Sequence, residues 1–502
     1  MPNHTPLGKI LCEIIPHGYY VGGIVRSSLL KKLSGDIDIA LPAQDVRRAA
    51  YDLAARLHGA VFEMDAEMGV WRVVTHQDKI QIDLTAFQGK DLRADLLRRD
   101  FTFNALAYPV PACPRVAVSQ DPNGSAQIIL KNIRKNLIVD ETGGLEDLAR
   151  KIIRTAGDKQ FEDDPLRMLR AFRCAAELGF TIEPRTLAQI KKYAPLVSRA
   201  AGERQHEELT RLFNTKNAYR FLVQMDELGL LSAVFPELEP QRTCAEVYYG
   251  KGGVLKHTLA VFNRMEYLLN RLDKAFPQYA AKIAPLAKDS ALMKMTALLH
   301  DVAKPATAKI KGDRLRFFYH EQKGAKMARE ILERLHYSRA EVRLVCAMIG
   351  EHLRPSNLAS NDVITDRGAY HFFRDLGEAG IPLLLLCWAD YTSYVSDAQL
   401  RRILPKSTER MMTLTQAART KNVGKTLRHL QVLSLLFSKY FDAPQKISPS
   451  RIITGVDVMT VLNLPPGPKI GEILEAVAVA QVEGKVVTRD EALAFIKTLK
   501  IK

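Results

Sequence analysis

Along the first part of the chain, apolar positions recur in short runs at a period of two. Asp36-Ile37-Asp38-Ile39, Ala60-Val61-Phe62, Val70-Trp71-Arg72-Val73-Val74 and Ile80-Gln81-Ile82-Asp83-Leu84 each predict a strand. In the first run the alternation puts both carboxylates on one face and both isoleucines on the other. Asp83 alternates with Ile82 and Leu84, so its strand can bring a third carboxylate to the first two; the alternative is a solvated edge residue. After the turn at Asp140-Glu141-Thr142-Gly143-Gly144 a helical period takes over and continues to the end. Within it, Phe161-Glu162-Asp163-Asp164-Pro165-Leu166-Arg167 predicts a helix start, with aspartates at the cap and Pro165 in the first turn. The pattern is α+β: a small mixed sheet first, then helices.

Polar residues crowd at three places in this frame. Gly22 and Gly23 let the backbone approach a ligand closely, their N–H groups suit phosphate oxygens, and Arg26 adds a forked cation. With Asp36 and Asp38 nearby, hard oxygen ligands beside a phosphate cradle suit Mg²⁺. Arg98-Arg99-Asp100-Phe101-Thr102-Phe103-Asn104 adds cations for a triphosphate, with Asp100 and Asn104 able to fix a sugar hydroxyl or a loop. Asp164 and Arg167, three apart, share a helical face. Their donor and acceptor set matches the edges of cytosine and adenine, against the plainer reading of a structural ion pair.

Composition narrows the setting. A chain of 502 residues is too long for one core, and the length suggests about three or four domains. A formal net charge of +16 favours a polyanionic partner such as nucleic acid. The six cysteines, Cys12, Cys113, Cys174, Cys244, Cys346 and Cys387, are scattered without a C-x-x-C pair. That argues against a zinc knuckle or a disulfide framework and for a reducing compartment. No signal peptide is visible, and the longest apolar run, Ile381 to Ala389, is short of the roughly 20 residues a membrane helix needs. These features predict a cytoplasmic protein with no membrane partner.

Taken in order, Gly22-Gly23-x-Val25-Arg26, Asp36-x-Asp38 and Arg98-Arg99-Asp100-Phe101-Thr102-x-Asn104-Ala105 resemble the head motifs of the class II tRNA nucleotidyltransferase and bacterial poly(A) polymerase family. Leu145-Glu146-Asp147 with Ile153-Arg154-Thr155, and Asp163-Asp164-Pro165-Leu166-Arg167-x-Leu169-Arg170-Ala171-x-Arg173, resemble its neck motifs. Glu203-Arg204 with Glu207-Glu208-Leu209 resembles its last signature. The resemblance implies a polymerase-β-like head and template-independent addition of nucleotides from CTP and ATP to a tRNA 3′ end. It implies Mg²⁺ at Asp36 and Asp38, which would be the catalytic pair. It also implies nucleotide contacts at Gly22, Gly23, Arg26, Arg98, Arg99, Asp100, Asn104, Asp164, Arg167, Arg170 and Arg173. Two departures stand out. Ser27 occupies the place of a family aspartate. Only Gln88 to Leu97 separates the strand ending at Ala86-Phe87 from Arg98, where CCA-adding and poly(A)-adding members carry a longer loop. A shortened loop resembles members that add only the two cytidines.

Farther on, His257, His300-Asp301 and Asp390 resemble the ligand set of HD metal-dependent phosphohydrolases, with His320 and His352 as candidates for a second metal. The resemblance implies a second divalent ion and hydrolysis of phosphomonoesters or 2′,3′-cyclic phosphates, against a retained scaffold that helps hold RNA. From Arg401 onward, Arg401, Arg402, Lys406, Arg410, Arg419, Lys421, Lys425 and Arg428 read as an RNA-backbone surface. Two turns, at Ile453–Val458 and Pro465–Gly471, then lead into a last helix. The expected division is a head over 1–135, a neck over 136–240, an HD body over 241–400 and a basic tail over 401–502. The rival readings are a poly(A) polymerase, and an HD phosphohydrolase whose head merely binds RNA.

Overall fold

The computed structural model describes residues 7–112, 114–287, 289–360 and 362–499. The chain forms two units: one runs to Ala200 and takes in Glu227–Ala233, and the other comprises Ala201–Asp226 and everything from Val234 onward.

The first unit is built on strands β1 (Tyr19–Val21), β2 (Asp36–Leu41), β3 (Gly59–Asp65), β4 (Val70–Thr75), β5 (Gln81–Ala86), β6 (Leu106–Pro109), β7 (Arg115–Gln120), β8 (Ala126–Lys131) and β9 (Val139–Asp140). Seven of them form one sheet in the order β3-β4-β5-β2-β1-β6-β9, and β7–β8 is a separate ribbon. The sheet is mixed: β2 runs parallel to β5, and its other pairings are antiparallel. The period of two along β2 is realised. Ile37, Ile39 and Leu41 enter the main core with Leu11, Val46, Ala50 and Leu53 from the helices Leu7–Ile14 and Ala43–Leu57. Ala40 belongs to a smaller cluster with Val21, Leu96, Ala105 and Ala107. Asp36 and Asp38 share that second face, so the alternation that buries the isoleucines is also what aligns the carboxylates.

All four expected strands form. The apolar residues after Asn104 form a further strand. A 3₁₀ turn at Thr102–Asn104 leads into β6, because the residues that follow must pair with β1 and β9. The helical part of this unit carries β10 (Ile152–Ile153) paired in parallel with β11 (Thr181–Ile182).

The second unit is mostly helical. Its most buried helix, Gly380–Thr392, contains the apolar run from Ile381 and is buried on nearly every side, which is why it reads as uniformly apolar. Among the described residues no helix is long and apolar enough to cross a membrane. A hairpin interrupts the helical pattern, β12 (Ala308–Lys311) with β13 (Arg314–Phe317). At the C-terminal end the expected pair of turns instead encloses a helix, Gly455–Leu462, capped by Thr454 and Asp457. It packs with the helices Pro468–Val482 and Arg489–Thr498 around Val458, Ile473, Val477 and Ile496. Within the basic stretch, Arg428 departs from the expected RNA surface. It is buried, and donates to the Met412 carbonyl and to Asp362. The other seven cations of that stretch are exposed.

Candidate active site and metal cluster

The head site grows from the register of β2 on β5. Asp38 lies directly opposite Asp83, and Asp36, Asp38 and Asp83 offer oxygens within 4.8 Å of one another. Asp83 is not a solvated edge residue: Arg72, across on β4, donates to both of its oxygens at 2.7 Å. Burial, then the neighbouring Asp36, push the Asp38 carboxyl up to about 7. This is the signature of a carboxylate cluster short of positive charge, and hard oxygens in this number suit a divalent cation.

Gly22 stands at the head of the helix Gly23–Leu29 with φ +65°, a conformation that disfavours any side chain. A Cβ there would lie 3.3 Å from Arg99 Nη1 and 3.4 Å from Asp38 Oδ2, so the glycine is what lets the backbone reach the carboxylates. Arg26, one turn on, donates to Asn104 Oδ1 at 2.7 Å. Asn104 in turn donates to Asp100 Oδ1 at 3.0 Å, and Arg170 reaches Asp100 Oδ2 at 3.4 Å. Burial alone would raise the Asp100 carboxyl, but Arg170, Asn104 and the Phe101 N–H together hold it below the usual carboxylate range. One buried aspartate thus ties head residues to the helix Arg167–Leu178.

The other expected residues divide. Arg99 faces Gly22, held by Asp95 through Nε at 3.0 Å and Nη2 at 2.9 Å. Arg98, its neighbour, is exposed and takes no part in these bonds. Arg173 pairs along its own helix with Glu177 at 2.9 Å. Asp164 and Arg167 do not share a helical face. The helix begins at Arg167, after a short helix Gln160–Asp163, and Asp164 between them is extended and caps the Leu166 N–H at 3.1 Å. Pro165 forces that break, because the residue before a proline is kept out of the helical region. The two remain electrostatic neighbours: burial depresses the Arg167 guanidinium, while Asp100 and Asp164 counter it. Ser27 is buried, and its Oγ accepts from Arg26 Nη2 at 3.4 Å.

Asp95 was missed from the sequence, and Asp147 was named within a neck motif without a role. Asp95 binds Arg99 with one oxygen and, with the other, accepts from the Gln88 N–H at 3.0 Å, which anchors the short connection after β5. Its spacing four residues before Arg99 was the available signal. Asp147 accepts from Thr102 Oγ1 at 2.7 Å and from Arg154 at 3.0 Å and 3.2 Å.

In the second unit, His257, His300 and Asp390 form one group of ligand atoms, and Asp301, His320 and His352 another. Asp301 Oδ2 lies 3.3 Å from His257 Nε2 and 3.1 Å from His300 Nε2, while Oδ1 lies 3.6 Å from His320 Nε2, so the carboxylate touches both groups. Each imidazole is turned by a bond at Nδ1. Carbonyls of Ala297, Phe317 and Ile349 lie 2.9, 2.8 and 2.7 Å from His300, His320 and His352, and Ser393 Oγ lies 3.2 Å from His257. That leaves every Nε2 facing inward, the arrangement by which outer partners orient metal ligands. His257 Nε2, His300 Nε2, the Asp301 carboxylate and Asp390 Oδ1 are buried and face mainly one another, with His257 Nε2 3.3 Å from Asp390 Oδ1. Burial pushes His352 down to about 4, which keeps it neutral and able to ligate. Asp390, despite burial, is held down to about 2 by His257. Imidazoles and carboxylates converging within 4.8 Å of one another in each group suit a divalent cation. Lys304 Nζ meets Asp301 Oδ2 at 2.5 Å.

A mixed sheet that presents clustered carboxylates to a glycine-headed helix, followed by a helical body with an HD cluster, defines a polymerase-β-like nucleotidyltransferase that uses divalent metal. The family comparisons agree. The poly A polymerase head domain matches residues 18–154, the probable RNA and SrmB-binding site of polymerase A 179–242, the HD domain 254–395, and tRNA nucleotidyltransferase domain 2 443–496. An A-adding tRNA nucleotidyltransferase from Deinococcus radiodurans is 30% identical over 489 residues, covering 96% of this chain and 95% of its own. A CC-adding tRNA nucleotidyltransferase from Geobacter sulfurreducens is 29% identical over 499 residues, covering 98% and 95%. The chain belongs to the class II tRNA nucleotidyltransferase family and carries an HD domain. In fold it resembles the Thermotoga maritima CCA-adding enzyme complexed with tRNA, with a TM-score of 0.60 and 18% identity over 98% of this chain and 94% of that one.

Proposed function

We propose that this enzyme adds nucleotides from CTP and ATP to the 3′ end of tRNA without a template, with Mg²⁺ at Asp36 and Asp38, in the cytoplasm. The observation that carries the reading is the chain of contacts from Asp38 past Gly22 and Arg99, and from Arg26 through Asn104 and Asp100 to Arg170. Asp36 and Asp38 would hold the ions, with Asp83 at their side under Arg72. When bound, the ions lower the pKa of the attacking 3′-hydroxyl and steady the leaving pyrophosphate. Gly22 and Gly23 let the triphosphate approach, and Arg26 and Arg99 neutralise its charge. Asp100 fixes the neck helix against the head so that Arg167 and Asp164 meet the base, with no template strand needed. The neck would give way to the HD body near residue 240 and the body to the tail near residue 400, with the exposed cations after Arg401 on the RNA backbone. Five described cysteines are unpaired, as a reducing compartment requires.

The connection from β5 to the helix Leu92–Arg98 favours the two cytidines as the product. It is short and closed by bonds: Gln88 Nε2 donates to Met68 and Ala86 carbonyls, and Asp91 caps Ala94 at 2.8 Å. Of the two relatives named above, the one from Geobacter sulfurreducens carries a CC-adding name that agrees with this reading, while the one from Deinococcus radiodurans carries an A-adding name. Incubation with tRNA lacking its 3′ end, with CTP alone, ATP alone and both, followed by sequencing of the ends, tests this. Ends that stop at CC with both nucleotides support the cytidine reading. Complete CCA ends overturn it and leave the broader one.

The HD cluster supports a second activity, metal-dependent hydrolysis of phosphomonoesters or 2′,3′-cyclic phosphates. Loss of that hydrolysis in His300→Ala, with nucleotide addition unchanged, separates the two sites.

A further inference from the structure

The β12–β13 hairpin carries a charge pattern its own stability does not explain. In its antiparallel register Lys309 faces Arg316 and Lys311 faces Arg314, so four cations stand in two opposed pairs on one face. The other face carries the opposed pair Ile310 and Leu315. Like charges set directly across a ladder are destabilising, and two such pairs on an isolated two-stranded ribbon compound the cost. All four are exposed, none is in an ion pair among the described residues, and Asp313 at the turn is the one carboxylate between them.

The position of the hairpin is as specific as its charge. Tyr248 both donates to the Leu315 carbonyl at 3.0 Å and accepts the Leu315 N–H at 3.1 Å, fixing the strand to the short helix Glu246–Tyr249. Between them lies an open groove of about 930 Å³ lined by the apolar pair Ile310 and Leu315 with Tyr248, Phe317 and Phe318; of the four cations Arg314 and Arg316 reach it, beside Asp313, and His320 is among its lining residues. His320 is one of the inward-facing imidazoles of the metal cluster. Tyr248 and Phe318 are 51% and 46% exposed, and Lys311 lies over the Phe318 ring at 5.6 Å. Cations along one face with exposed rings beside them are the two parts of a single-stranded nucleic-acid surface: charge for the backbone, flat faces for the bases.

We propose that the basic face of this hairpin binds single-stranded RNA and leads its 3′-terminal phosphate through the groove to the His and Asp cluster. The HD site would then act on polynucleotide ends in preference to free nucleotides; this rests on the phosphohydrolase reading above. The step is hydrolysis. Water oxygen bonds to phosphorus, the bond from phosphorus to the ribose oxygen breaks, and that oxygen leaves with a proton, giving a hydroxyl end and inorganic phosphate. The four cations take no part in the bond changes; they set where the chain lies.

The test compares full-length enzyme with the variant Lys309→Gln/Lys311→Gln/Arg314→Gln/Arg316→Gln, which relieves like-charge repulsion and so keeps the fold. Two substrates are used, a short 3′-phosphorylated oligouridine and 3′-UMP. The expected result is a KM for the oligonucleotide raised about tenfold or more, with hydrolysis of 3′-UMP unchanged. Its logarithmic salt slope should be shallower by about 3 if all four cations meet phosphates. Equal effects on both substrates, or none on either, overturn the proposal. If wild type hydrolyses neither substrate with any divalent ion, the phosphohydrolase reading falls by itself. The surface is then judged by photocrosslinking of a 4-thiouridine oligonucleotide: crosslinks within residues 308–319 that the variant loses uphold RNA binding, and their absence refutes it. Equal displacement of the RNA by polyglutamate would mean an acidic polypeptide surface and would also refute it.

Discussion

Asp83 sits in direct parallel register with Asp38, and it arrives there already gripped by Arg72 through both oxygens. The third carboxylate of the head is therefore a shared one, divided between a guanidinium and the space beside Asp38. Removing Arg72 leaves a half-buried carboxylate without its partner, which costs about 1–3 kcal/mol. Arg72→Met should lower Tm accordingly. It should also lower the Mg²⁺ concentration for half-maximal activity, because the cluster becomes more negative. Asp83→Asn should raise that concentration. Magnesium titrations of the two variants in opposite directions are the expected pair of results.

Gly22→Ala puts a methyl group at φ +65°, a strain of about 1–3 kcal/mol. The same methyl would lie within 3.4 Å of both Arg99 Nη1 and Asp38 Oδ2. The variant should bind tRNA as wild type does and lose nucleotide addition by about tenfold or more. Filter binding and single-turnover extension measure the two separately.

Asp100 provides a pH test. Its folded carboxyl is held below the usual range, so its contribution to stability is present above the unfolded value of about 3.9 and is lost as pH falls through the folded value. Asp100→Asn should therefore lower Tm at pH 7, and the gap to wild type should close as the buffer is taken below about pH 4. A gap that stays constant from pH 7 to 3 would mean the carboxylate charge is not what ties Arg170 to the head.

In the HD cluster, the converging ligand atoms of His257, His300, Asp301 and Asp390 should make the body metal-stabilised. A ligating ion at a hundredfold excess over its Kd adds about 2.7 kcal/mol. Chelation should lower the Tm of wild type, and re-addition of a divalent metal should restore it. Asp301→Ala should be insensitive to both treatments.

The sheet face with Asp36 and Asp38 was legible because a strand's period of two sets side-chain direction without tertiary information. Asp83 was legible as a third carboxylate but not as a paired one, since Arg72 meets it only through strand order. The helix start near Asp164 was legible from its cap pattern, since Asp164 caps the Leu166 N–H, but Asp164 is extended before Pro165 and so does not share a helical face with Arg167. Leu106–Pro109 became a strand through pairing with β1 and β9, which no local signal carries. Arg428 shows the limit of charge counting: a cation in a basic run can be a buried donor to carbonyls. Cys113, counted with the scattered cysteines, lies outside the described residues.

Asp36 and Asp38 are the carboxylates proposed to carry out nucleotide addition to tRNA. Single-turnover extension of a tRNA lacking its 3′ end, with CTP and Mg²⁺, tests that assignment directly when wild type is compared with Asp38→Asn and tRNA affinity is measured in parallel. Asp38→Asn is expected to bind the tRNA with near wild-type affinity and to extend it at a rate reduced by at least about a thousandfold. Extension by Asp38→Asn at the wild-type rate would contradict that assignment.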